Sequence, residues 1–335
     1  MKRQKRTPKA ILISDVHFSL KNLELSDKAF RAAIDHAAEL KVPLIDCGDI
    51  TNDKAILRAE VVNAMLDTFK YAYNSGVTVY CLVGNHSRLH EKDPKHALEF
   101  LRPYATIVDE PIYVAALDLH LFPYSHDPVA LANEIATRCA PGDTLVMHQG
   151  LTTGDKGDYV MDTSAIDMSM IEDYWVFSGH YHHHQKLGNY TFVGNPFTMS
   201  FGEAKDGPKG ILVLYSDNSF EQIVLPYRRH IVLEYNTSDL YDLTLRGFGA
   251  NSSDLLWIKL KGTAIELAKI KKSDIAKLVG HQNFKLDKIA TEVAQLETED
   301  LNLTDEQVLD ALIDGSPESE EQKKSLKKLW REVLV

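Results

Sequence analysis

Ala10-Ile11-Leu12-Ile13-Ser14-Asp15-Val16-His17 decides how the rest of this chain is read. A short apolar run ending in a small polar residue reads as a buried strand. Two residues able to hold a proton or a metal, Asp15 and His17, follow directly. The same unit recurs downstream. Pro43–Asp46 leads into Gly48-Asp49, Val77–Val83 into Gly84-Asn85-His86, Thr144–Met147 into His148, and Tyr174–Phe177 into Gly179-His180-Tyr181-His182. Between them lie helical patterns at Leu25–Leu40, with Phe30, Ala33, Ile34 and Ala37 on one face, at Ala55–Tyr73 and at Val129–Cys139. Alternation of this kind predicts a sheet covered by helices. Ile112–Tyr124 reads as a hairpin, and so do Gln185–Val193 and Gly210–Leu225, with Gly-Asn and Asp-Asn turns.

The carboxyl ends of strands form the functional edge of an open α/β sheet. Asp15, His17, Asp49, Asn85, His86, His148, His180 and His182 are therefore expected on one rim. Any one of them alone would be an ordinary turn or cap residue. Five successive strands ending in such residues call for another explanation, and a pair of metal ions supplies it. Alternate residues of an extended segment point the same way, so Asp15 and His17 can reach one ion, while His180 and His182 can each serve a different one. Gly48 and Gly84 let the backbone turn before Asp49 and Asn85. Two ions about 3.5–4 Å apart need an anionic bridge, for which Asp49 is the natural candidate. Imidazole and oxygen ligands together suit manganese, iron or zinc better than magnesium or calcium. His183 and His184 extend the run of histidines, but His183 should face away from His182, and neither is assigned to metal.

The 335 residues carry 37 Lys+Arg against 48 Asp+Glu, a formal charge of −11, which argues against binding polyanions through bulk positive charge. From Glu297 to Glu321 there are ten acidic residues and no basic one, so most of that charge belongs to one segment near the C-terminus. No apolar run approaches the ~20 residues of a membrane-spanning helix. The basic stretch Met1–Ala10 precedes an apolar run too short for a signal-peptide core, so the expectation is a cytoplasmic protein, in a host's cytoplasm if phage-encoded, with no membrane partner. Cys47, Cys81 and Cys139 are far apart and lack a CxxC spacing, as expected of reduced thiols without a catalytic role.

Asp15-Val16-His17, Gly48-Asp49, Gly84-Asn85-His86, His148 and Gly179-His180-Tyr181-His182 resemble, in order and spacing, the motifs of the calcineurin-like metallophosphoesterases. A second stretch, Gly194-Asn195-Pro196-Phe197-Thr198-Met199-Ser200-Phe201-Gly202-Glu203-Ala204-Lys205 followed by Lys209-Gly210, resembles a segment of the SbcD-type nuclease subunits of double-strand-break repair complexes. The resemblance implies an α/β fold, a metallophosphoesterase β-sandwich flanked by helices in four αββα layers, with a small α/β capping domain and C-terminal helices. It implies a nuclease domain at 1–228, a cap at 229–295 and, at 296–335, helices that bind the ATPase partner.

Carried onto this sequence, the resemblance implies that Asp15, His17, Asp49 and His182 hold one divalent ion, and Asp49, Asn85, His148 and His180 the other, with Mn2+ the expected metal. His86 is the implied catalytic residue, stabilising or protonating the leaving 3′ oxygen of a DNA phosphodiester. Two departures stand out. Ser87 occupies a position that is usually acidic and should orient His86 less firmly, and Asn52 stands where a histidine or aspartate is common.

The implied partners are DNA, an SbcC-type ATPase and a second copy of the chain. A stripe of Leu326, Leu329, Trp330, Val333 and Leu334, with Val308, Leu309, Leu312 and Ile313 on a preceding helix, is the expected ATPase-docking surface. The competing readings are a small-molecule phosphodiesterase or nucleotidase of the same superfamily and an inactive scaffold, which the full set of ligands disfavours.

Overall fold

The computed structural model describes residues 6–54, 56–90, 95–155, 162–243, 253–279, 284–290, 310, 313–316 and 319–333. Strand β1 (Pro8–Ile13) pairs in parallel with β2 (Leu44–Asp46), which pairs with β3 (Val79–Leu82), which pairs with β4 (Thr106–Val108). Helices α1 (Leu23–Leu40) and α2 (Ala59–Asn74) make the first two crossovers. The second sheet contains β5 (Ile112–Val114), β6 (Leu119–Phe122), β7 (Thr144–Met147), β8 (Trp175–Ser178), β9 (Gln185–Leu187) and β10 (Tyr190–Phe192), with α3 (Pro128–Arg138) between β6 and β7. Its order is β5-β6-β7-β8-β10-β9. The chain then returns to the first sheet, where β11 (Gly210–Tyr215) joins β1 antiparallel and β12 (Phe220–Val224) forms the edge.

Side-chain alternation on the strands generates the layers. Ile11 and Ile13 point into a core shared with Phe30, Ile34, Met65 and Phe69 of α1 and α2. Ala10 and Leu12, one residue out of phase, point into a second core that meets Leu121, Val146 and Phe177 of the facing sheet. On the far side of that sheet, Leu145, Met147 and Val176 pack with Leu131 and Ile135 of α3. Three cores separate four layers, the αββα sandwich expected from the sequence. Each fully buried Leu, Ile or Phe contributes about 1.5–3 kcal/mol of transfer free energy, so the period-two pattern fixes which face each strand shows.

A third sheet follows, with β13 (His230–Asn236), β14 (Leu255–Gly262) and β15 (Phe284–Ala290) all parallel. Helices α4 (Ala264–Lys269) and α5 (Lys272–Val279) pack on it through Leu267, Ile275 and Val279. Near the C-terminus runs α6 (Glu320–Val333).

Several boundaries differ from expectation. Helix α1 starts at Leu23 rather than Leu25, and α2 at Ala59 rather than Ala55. Strands β4, β13 and β15 were not foreseen: β4 has three residues, and β15 carries polar residues on both faces. The described residues contain no helix long and apolar enough to cross a membrane. Val308, Leu309, Leu312 and Leu334 lie outside the described residues, as do the side chains of Leu329, Trp330 and Val333.

Candidate metal centre

The residues expected on one rim come from both sheets. Asp15, Asp49 and Asn85 lie two or three residues beyond β1, β2 and β3, and His148 and His180 lie one or two beyond β7 and β8. The two sheets present these strand ends at the same edge of the sandwich. The local backbone is not the extended one assumed from sequence. Asp15 (φ 51°), His17 (φ 49°), Asp49 (φ 55°) and His180 (φ 83°) occupy the left-handed region, four of the seven non-glycine residues that do so among those described. Such conformations cost about 1–3 kcal/mol each and collect at functional sites.

Asp15, His17 and His182 form one group, and Asp49, His148 and His180 a second; within each, one potential ligand atom from every residue lies within 4.8 Å of the others. In the first, Nε2 of His17 and Nε2 of His182 are 3.1 Å apart. In the second, Asp49 Oδ2 is 3.2 Å from His148 Nε2, while Asn85 Oδ1 is 3.1 Å from His148 Nε2 and 3.0 Å from His180 Nδ1. His180 and His182 thus part into different groups, through the turn at His180 rather than through strand alternation.

The histidines are aimed by partners on their other nitrogens. His148 Nδ1–H donates to the Cys47 carbonyl at 2.8 Å, and His182 Nδ1–H to Glu203 Oε1 at 2.9 Å. Either bond leaves Nε2 with a lone pair directed into the centre. Nε2 of His180 meets Asp162 Oδ2 at 3.1 Å, which leaves Nδ1 facing Asn85. Glu203 is itself held by Asn195 Nδ2 and the Met199 amide, each at 3.0 Å. Buried Lys209 joins this knot, donating to the His182 carbonyl at 2.9 Å and to Asp206 at 2.6 Å. The Gly194–Gly210 stretch is therefore a brace for His182.

His86 stands at the mouth, its ring edge-on to His17 with centroids 4.9 Å apart. Its backbone N–H donates to Asp49 Oδ1 at 2.8 Å and its Nδ1–H to the Asn52 carbonyl at 2.7 Å. Ser87 is buried with its Oγ on Thr51 Oγ1 at 3.3 Å. The expected weakness in orienting His86 is offset by a backbone carbonyl at position 52.

Electrostatics pair an ionised Asp49 with a protonated His148 at the centre. Burial opposes charge on Asp49, yet His148, His86 and His17 outweigh it and hold its carboxyl well below the usual range. Burial likewise opposes a proton on His148, but Asp49 overrides it and lifts the imidazole to about 9. His17 moves the other way, to about 4, through burial and then His182. Its Nδ1 is buried without a hydrogen-bond partner among the described residues.

Two imidazole nitrogens 3.1 Å apart match the separation set when each binds one ion at about 2.1 Å. Carboxylates, imidazoles and an amide oxygen without thiolate suit a first-row transition ion, whose binding would displace the proton of His148. The residues present therefore fit a pair of divalent ions. Backbone approach is also close: a Cβ on Gly48 would strike the His148 ring, and one on Gly84 would strike Asp49. Gly48 has φ 108°, while Gly84 is needed for proximity to Asp49 rather than for a left-handed turn.

Asp162 was not found from the sequence. It lies in the connection between β7 and β8, with no periodicity to mark it, and also accepts from Tyr181 Oη at 2.9 Å. His183 turns outward to Asp155, Nδ1 to Oδ2 3.3 Å, and His184 Nδ1 bonds the Phe192 carbonyl at 2.8 Å. Another cluster of possible ligands, His96, Glu99 and Asp109, is already tied together by Arg102.

Fold and site together define an αββα sandwich with paired Asp/His ligand groups at one rim. No protein-family profile and no curated protein sequence matches the chain. Among the solved structures it is similar to is a novel archaeal phosphodiesterase, 16% identical, with TM-score 0.34 over 64% of this chain and 99% of that one. Another is the Pseudomonas putida nuclease MPE, 19% identical, with TM-score 0.32 over 62% of this chain and 84% of that one. At those scores neither carries the functional argument, which stands on the site.

Proposed function

We propose that the chain is a Mn2+-dependent phosphodiesterase that hydrolyses DNA, the nuclease subunit of an SbcCD-like repair complex. The observation that supports the hydrolase reading is the pair of Asp/His groups, with three of their histidines aimed by a carbonyl or carboxylate on the opposite nitrogen. Asp15, His17, Asp49 and His182 would hold one ion, and Asp49, Asn85, His148 and His180 the other. Bound ions would supply Lewis-acid stabilisation of the phosphoryl oxygens and a hydrolytic nucleophile at neutral pH.

The chain's own residues do the rest. Asn52 and Asp49 hold His86 by its Nδ1 and backbone N–H, so Nε2 is the nitrogen that would protonate or stabilise the leaving oxygen. Glu203 and Asp162 keep His182 and His180 from rotating. DNA as substrate is supported by the sequence resemblance, which extends through the brace to Gly210. Residues 229–295 would cap the site, 296–335 would dock the SbcC-type ATPase, and the complex would hold two copies of the chain in the cytoplasm.

The test is digestion of linear DNA with Mn2+ by the wild type and His86→Ala, beside hydrolysis of an aryl phosphodiester. DNA cleavage lost in His86→Ala is expected. Cleavage of the small ester with DNA left intact, even with the ATPase present, would replace the nuclease by a small-molecule phosphodiesterase.

A further inference from the structure

Among the described residues, Arg228 carries a buried guanidinium nitrogen with no acceptor. That atom is Nε, and the residue lies between β12 and β13. A guanidinium keeps its charge at any physiological pH and carries five donors. Burying one of them without an acceptor is unfavourable unless a ligand completes it.

Two cavities meet at this side chain. One, of about 660 Å3, reaches Glu203 and Lys209, the brace of His182. The other, of about 530 Å3, reaches Lys21, four residues after His17, and the N-terminus of α1. The first cavity is thus one hydrogen bond from His182, through Glu203 and Lys209 in its wall. The acids of the second cavity are already engaged: Glu24 by Lys28 at 2.6 Å, Asp27 by Arg31 at 2.8 Å and Asp67 by Lys70 at 4.0 Å.

Positive charge is therefore left over at Arg228 and at exposed Lys21. His230 senses both, its pKa lowered first by burial, then by Arg228, and further by Lys21. A second polar group also lacks a partner here. Asn22, 7% exposed, gives α1 no side-chain cap, and its buried Oδ1 meets no donor.

We infer that Arg228 and Lys21, beside the uncapped N-terminus of α1, hold a backbone phosphate of an extended phosphodiester next to the metal rim. The inference rests on the reading of the chain as a DNA nuclease. It adds to that reading the element by which a polymer is distinguished from a small ester. Guanidinium binds phosphate through a planar fork and ammonium as a point charge, so the two side chains make unequal contributions.

The experiment measures kcat, KM and the salt dependence of KM for a labelled linear duplex with Mn2+, using the full chain. Arg228→Gln is expected to raise KM about tenfold and to lower the log–log salt slope by about one. KM should move much more than kcat. Lys21→Gln should shift both readouts in the same direction by less, and Arg228→Lys should keep the slope while losing part of the affinity. If Arg228→Gln fails to fold, Lys21→Gln on the exposed side chain decides. Wild-type KM and slope in the Gln variants, on DNA that the wild type cleaves, would overturn the inference alone. A wild type that hydrolyses an aryl phosphodiester but neither binds nor cleaves DNA would overturn the nuclease reading, and this inference with it.

Discussion

His86 is placed by one neighbouring side chain and one backbone carbonyl. Its backbone N–H donates to Asp49 Oδ1, and its ring donates to the Asn52 carbonyl. His86→Ala should lower kcat on an aryl phosphodiester by about 100-fold or more, with metal content, measured by elemental analysis, unchanged. Because position 52 contributes a carbonyl, Asn52→Ala should alter kcat little. A large loss there would mean that the side chain acts. Glu203 is a stronger dependency, since it accepts from the His182 ring and is gripped by Asn195 and the Met199 amide. Glu203→Ala is expected to weaken Mn2+ binding about 10- to 100-fold by calorimetry, and unchanged affinity would remove it from the support of His182. The ligand types and their order were legible in the sequence because each follows a strand. Asp162 and the carbonyls of Cys47 and Asn52 were not, since a partner brought in by tertiary contact leaves no local pattern.

At the scale of elements, the period-two strands made the sandwich readable. Ile11 and Ile13 serve one core while Ala10 and Leu12 serve another, as a strand buried on both faces requires. Phe30 on α1 stacks on Phe69 of α2, ring centroids 5.2 Å apart, and is fully buried. Phe30→Ala should therefore cost about 3–5 kcal/mol in denaturant unfolding. A loss below about 1 kcal/mol, the range of a surface change, would contradict that packing. The strands missed include a short one and a mixed one. Thr106–Val108 has too few residues to show a period, and Phe284–Ala290 (FKLDKIA) mixes Lys and Asp with apolar residues in a parallel edge strand. The geometry beyond the strand ends was also hidden. Alternation suggested that His180 and His182 project together from an extended segment, whereas His180 at φ 83° breaks it.

At the scale of the whole molecule, the first two sheets bring five strand ends to one edge, and the third sheet follows through the segment that carries Arg228. The charge of −11 does not oppose a phosphate substrate, because its acidic excess is concentrated between Glu297 and Glu321 and divalent ions would add positive charge where the phosphate sits. Helix α6 leaves Leu326 43% exposed. Deleting Glu318–Val335 should abolish co-purification with an SbcC-type ATPase while metal uptake persists, and unchanged co-purification would refute docking through this helix. The most direct test is a calorimetric Mn2+ titration of the metal-stripped full chain, beside Asp49→Asn and His148→Ala. Two ions per wild-type chain, with at least one lost or greatly weakened in each variant, are expected. A single ion or none, or two ions bound as tightly in both variants as in the wild type, would contradict a two-ion centre bridged at Asp49.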